Sequence, residues 1–116
     1  MLKIIVDAMG GDHAPVEIVK GAVESLTDRS DFKVILTGDE ALIKHELDKY
    51  TYDASRVEIV GCTQVITNDD VPTHAVRSKR DSSLVVGLNI LKNDISAGGF
   101  VSAGSTGAVL TGGIMF

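Results

Sequence analysis

Cysteine is almost absent from this chain. Cys62 stands alone, so there is neither a disulfide framework nor a cysteine-based zinc site, and a reducing compartment is expected. Tryptophan is missing, and two tyrosines with three phenylalanines are too few for a platform on which nucleic-acid bases stack. Basic residues are outnumbered 16 to 11 by acidic ones, and a net charge of −5 suits a phosphodiester backbone poorly. No apolar run approaches the roughly 18 residues that a membrane-spanning helix needs. The opening Met1-Leu2-Lys3-Ile4-Ile5-Val6-Asp7 reaches an acid too soon for a signal peptide. These absences argue against nucleic-acid-binding, membrane-spanning and secreted classes, and make a cytoplasmic location the expectation.

What remains is ordinary globular composition, 44% apolar and 23% charged over 116 residues, the size of one domain. Short β-branched runs at Lys3 to Asp7, Phe32 to Thr37, Val57 to Val60 and Gly99 to Ala103 read as strands. In the first two the apolar residues are consecutive, the pattern of strands covered on both faces. Helical spacing links Val16, Val19, Val23 and Leu26, with Pro15 suited to the first turn. Asp39 can cap a helix bearing Ile43, Leu47 and Tyr50, and Asp81-Ser82-Ser83 can open another bearing Leu84, Leu88, Leu91 and Ile95. Such alternation predicts an α/β layered fold with a mostly parallel sheet, residues 1–116 forming a single α/β unit. The stretch from Cys62 to Arg80 is polar, with a short helix from Pro72 towards Arg80; a connection this long is either mobile or functional. Ala108 to Phe116 reads as an apolar helix getting under way with no closing signal, so the chain is expected to be the N-terminal part of a longer enzyme.

In an open parallel sheet, ligands bind beyond the carboxyl ends of the strands. Glycines follow each expected strand there: Gly10 and Gly11, Gly38, Gly61, then Gly104 and Gly107. They can simply make tight turns. Where Ser105 and Thr106 join Gly104 and Gly107 at a helix start, unpaired N–H groups also suit an anion. The run Ser102-Ala103-Gly104-Ser105-Thr106-Gly107 lacks the lysine of a P-loop and does not match the dinucleotide fingerprint. Asp39 stands where a ribose-binding acid would, but helix capping explains it more simply. His13 either serves as an acid/base or anion donor, or packs around the start of the first helix. Asp7 and Asp12 fix their loop rather than touch an anion, because two carboxylates would repel it; no metal site is expected. Arg77, Lys79 and Arg80 form the dense basic cluster, either a solvated face or a receptor for an acidic partner or phosphate.

Three stretches of sequence, taken together, resemble a known family. Val6-Asp7-Ala8-Met9-Gly10-Gly11-Asp12-His13-Ala14-Pro15, then Pro72 with Arg77-Ser78-Lys79-Arg80-Asp81-Ser82-Ser83, then Ser102-Ala103-Gly104-Ser105-Thr106-Gly107-Ala108 are similar to signatures of the PlsX family. That family comprises the acyl-ACP:phosphate acyltransferases of bacterial phospholipid synthesis. The resemblance implies transfer of an acyl group from acyl-[acyl carrier protein] to inorganic phosphate, without a cofactor and without a nucleophilic Ser or Cys. It further implies a Rossmann-like α/β/α fold allied to the isocitrate and isopropylmalate dehydrogenases. A homodimer follows too, with peripheral membrane association through parts not in this chain. The candidate assignments are Gly10, Gly11, Gly104, Ser105, Thr106 and Gly107 for phosphate, His13 for catalysis, and Arg77, Lys79 and Arg80 for carrier protein or phosphate. The alternatives are a nucleotide-dependent dehydrogenase of similar fold and a non-catalytic anion-binding module.

Overall fold

A computed structural model describes residues 1–67, 69–104, 108, 109, 112 and 113. Four parallel strands, β1 (Leu2–Asp7), β2 (Phe32–Gly38), β3 (Val57–Gly61) and β4 (Ala97–Val101), lie in the order β3-β2-β1-β4. Helix α1 (Val16–Asp28) joins β1 to β2 and α2 (Glu40–Leu47) joins β2 to β3, while α3 (Pro72–Ser78) and α4 (Ser83–Asn93) occupy the long return from β3 to β4.

Side-chain alternation along the strands separates two cores. Val34 and Leu36 of β2 meet Val19, Ala22, Val23 and Leu26 of α1 and Ile43 and Leu47 of α2. The opposite face of the sheet carries Ile5 and Ile35, and beyond it Val76, Leu84, Val85 and Leu88 form the second cluster with Ile66 and Ala75. Helices on both faces of a parallel sheet fit a Rossmann-like layering. At the amino edge, Arg56 donates to the carbonyls of Leu26 (2.9 Å), Arg29 (2.6 Å) and Phe32 (3.0 and 3.1 Å), locking the entrance of β2 to that of β3.

Most expected elements are present, with shifts at their ends. Asp39 caps α2 by accepting from the Leu42 N–H at 3.2 Å, as its position suggested. The cap of α4 is Ser82 rather than Asp81, because the Asp81 carboxylate is engaged by Thr63. Helix α4 stops at Asn93, so Ile95 falls beyond the stripe and is fully exposed. Strand β4 begins two residues earlier than expected. Ala97 pairs with Lys3, the register slips between Lys3 and Ile4, and Val101 ends opposite Val6. The expected helix from Ala108 onward is helical at 108, 109, 112 and 113, and the rest of that stretch lies outside the described residues. Among the described residues no helix is long and apolar enough to cross a membrane.

Candidate active site

Strand order decides where a site can form. The chain moves outward from β1 through β2 to β3, then returns to place β4 on the other side of β1. The carboxyl ends of β1 and β4 therefore flank the point where the winding reverses, the crevice in which open α/β sheets take ligands. Both glycine-rich loops leave the sheet there, and they touch. A Cβ on Gly10 would lie 2.8 Å from the Gly104 nitrogen, 2.9 Å from Asp7 Oδ2 and 3.0 Å from Ser102 Oγ. Gly11 has φ +94°, a conformation that favours glycine, and lies against the Ala103 carbonyl.

Register explains the polar knot beneath these loops. Val6 pairs with both Leu36 and Val101, so the next residues, Asp7, Thr37 and Ser102, arrive side by side under the start of α4. The Asp7 carboxylate, 3% exposed, accepts from Ser83 Oγ at 2.5 Å, Ser102 Oγ at 2.9 Å and the Met9 N–H at 3.1 Å. Ser102 Oγ in turn accepts the Gly104 N–H at 3.1 Å, and the Thr37 hydroxyl donates to the Ser83 carbonyl at 2.8 Å. Asp7 therefore holds its loop together, as its charge suggested. Nothing in the local sequence marks Ser83 and Ser102 as its partners.

Above the knot is a hollow of about 160 Å³ lined by Met9, Gly11, Asp12, Gly104 and Val65 to Thr67. It holds about five waters' worth, below the range of drug-sized pockets, and Asp12, expected to fix its loop away from an anion, stands exposed in its wall. The polar stretch after β3 supplies its far wall and is pinned in two places. At its base, Thr63 donates to Asp81 through its hydroxyl (2.6 Å) and its N–H (3.0 Å), which hold that carboxyl below the ordinary range, and Gln64 bridges Ser82. Further out, Lys79 Nζ donates to the Val65 carbonyl and to Asp70 Oδ2, both at 2.9 Å. The Thr67 N–H and then the Lys79 ammonium lower the Asp70 pKa. Lys79 thus braces the wall from behind. A larger hollow, about 610 Å³, lies beside the carboxyl half of α4 and is lined by Lys3, Asp94 and Ile95, away from both glycine loops.

The structure brings Gly10, Gly11 and Gly104 together. Ser105, Thr106 and Gly107 lie outside the described residues. His13 is exposed, its side chain does not line the hollow, and its carbonyl accepts the Glu17 N–H at 3.0 Å as α1 begins. Arg77 is exposed on α3, and Arg80 follows it with Nε on the Arg77 carbonyl at 3.2 Å. Cys62, half-buried at the end of β3, has its thiol pushed up to about 11 by burial and then by the Asp81 charge, which makes it a poor nucleophile.

Residues 2–115 match the fatty acid synthesis protein family. The chain belongs to that family. Among curated relatives, phosphate acyltransferase of Alkaliphilus oremlandii is 48% identical over 114 residues, covering 98% of this chain and 33% of the relative. Phosphate acyltransferases of Halothermothrix orenii and Clostridium tetani are each 45% identical over 113 residues, covering 97% of this chain and 34% of theirs. The chain spans about a third of the length of these curated relatives.

Proposed function

We propose that the complete protein transfers an acyl group from acyl-[acyl carrier protein] to inorganic phosphate, giving acyl phosphate and the free carrier. The observation that carries this reading is the meeting of two glycine-rich loops at the winding reversal, in a chain whose relatives are called phosphate acyltransferases. The chemistry needs little beyond what such a site offers. Phosphate is already a nucleophile, and a thiolate with a pKa of about 8.5 leaves without much acid help. One phosphate oxygen attacks the thioester carbonyl, the C–S bond breaks, and the carrier departs as thiolate. The protein has to hold the anion, orient it and stabilise the tetrahedral oxyanion, tasks within reach of backbone N–H groups in loops that approach closely.

In this reading Gly10, Gly11 and Gly104, with Ser105, Thr106 and Gly107 of the same motif, receive the phosphate. Arg77 and Arg80 face the acidic carrier, whose charge they complement. Lys79, already committed to Asp70 and Val65, contributes by shaping the wall. His13 is a secondary candidate for a contact at the mouth. The fold of the complete enzyme is allied to the isocitrate and isopropylmalate dehydrogenases, the enzyme works as a homodimer, and it meets the membrane surface through segments outside this chain. Incubating the full-length protein with acyl carrier and phosphate, and trapping acyl phosphate with hydroxylamine, tests the reading. Phosphate-dependent hydroxamate and stoichiometric free carrier are expected; release of free carrier that ignores phosphate would refute it.

A further inference from the structure

Asp7 is buried at the floor of the candidate site, yet the proposed reaction gives its carboxylate no direct task. No lysine or arginine among the described residues forms an ion pair with it. Its hydrogen-bond partners are two hydroxyls and one N–H, all from the loops and helix start around it. The direction of the chain of bonds is fixed by proton count. A serine hydroxyl has one hydrogen, and Ser102 Oγ already accepts from Gly104, so the Ser102 proton is given to Asp7. A hydroxyl in that place without an acceptor behind it could rotate and release the Gly104 N–H. With the acceptor, the turn from Ser102 to Gly104 has one arrangement, and Gly10 fits against it with no spare space.

We infer that Asp7, acting through Ser102, is the positioning residue that fixes the turn from Ser102 to Gly104, the described part of the loop after β4. This rests on the acyltransferase reading and deepens it. Asparagine at this position would keep the volume but turn an N–H₂ donor towards one of the two serines, whose hydroxyl would have to accept from it and send its proton elsewhere, undoing the single arrangement. The defect would then appear in phosphate use, because the loop after β4 is affected while the basic surface of α3 is not.

The test uses the full-length protein, with phosphate varied at saturating acyl carrier and then the reverse. Ser102→Ala should raise the phosphate KM about tenfold and change the carrier KM less than about twofold, with Asp7→Asn at least as severe. Ser102→Thr, which keeps the hydroxyl, should recover most of the loss. Asp94→Asn, which breaks the Lys3–Asp94 pair at the amino edge, is the control for general destabilisation and should leave both KM values near wild type. A phosphate KM unmoved in Ser102→Ala, or a rise matched by Asp94→Asn, would overturn the inference; if Asp7→Asn does not fold, Ser102→Ala decides alone. A wild-type protein that forms no acyl phosphate would instead mark the failure of the acyltransferase reading, and the positioning role would fall with it.

Discussion

Replacing Gly10 by alanine puts one methyl group where the two loops meet, and the structure sets the size of the effect. Gly10 does not have a positive φ, so alanine can adopt its backbone and even gains about 0.4–1 kcal/mol by restricting the unfolded chain. Space is the obstacle. Ordinary Cβ contacts begin near 3.4 Å, and the new methyl would sit 2.8 Å from the Gly104 nitrogen, so that backbone must retreat by about 0.6 Å. The Gly104 N–H to Ser102 bond, 3.1 Å now, is already near the long end of its range and would weaken, a loss of about 1 kcal/mol. Overpacking of this kind costs about 1–3 kcal/mol, so the net destabilisation is about 1–3 kcal/mol. In urea unfolding of the full-length protein this lowers the midpoint by on the order of 1 M without changing the slope. The phosphate KM should rise in the same variant. An unchanged midpoint together with unchanged phosphate kinetics would mean that the loops do not approach as described.

Gly21, exposed on α1, would meet nothing within 4 Å, so Gly21→Ala should stabilise by about 1 kcal/mol through helix propensity alone, seen as a higher urea midpoint. Because the Cys62 pKa is raised to about 11, the thiol stays neutral at pH 8; alkylation there should be far slower than that of free cysteine, and Cys62→Ala should keep acyl transfer within about twofold. The Ser96 hydroxyl, then Lys3 and the Ser96 N–H, hold Asp94 at about 2, below an unfolded value of about 3.9. Its stabilising contribution is thus present above about pH 4 and is lost as pH falls towards 2. Asp94→Asn should flatten that acid limb, and an NMR titration placing Asp94 near 4 would contradict this. Arg77→Glu in the full-length enzyme should raise the KM for acyl carrier more than that for phosphate, with a difference that shrinks in high salt; equal effects would reduce the cluster to a solvated face.

The layered fold was legible because both signals were local. Consecutive apolar residues in Ile4 to Val6 and Val34 to Leu36 mark strands covered on two faces, and the Val19, Val23 and Leu26 stripe marks the helix that covers one of them. The start of β4 was misplaced because Gly98 and Gly99 have no side chains to show an alternation, and pairing with β1 alone decides where that strand begins. At the site, the glycines could be read from their position after the strands. The hydroxyl partners of Asp7 could not: Ser83 and Ser102 stand 76 and 95 residues away, and only the docking of the start of α4 and the register of β4 bring them to it. Lys79 likewise looked like one of three surface cations. Asp70 lies nine residues before it, across a helix start, where no periodicity announces a pair.

The central position of β1 also governs how the molecule is made. Of the four strands this one is made first, yet one neighbour, β2, begins 30 residues later and the other, β4, begins at Ala97. At about 5–20 residues per second, roughly 3–13 s pass between synthesis of the two neighbours of β1, which begin at Phe32 and Ala97. During that interval Ile5 and Asp7 wait on a half-built sheet, and the hollow between the glycine loops does not exist. The two glycine loops therefore meet only after β4 is made, once the β1–β2–β3 half has had time to form. Synonymous codon changes that slow elongation between residues 62 and 96 would lengthen exposure of that half to proteases and chaperones, while leaving the finished protein the same.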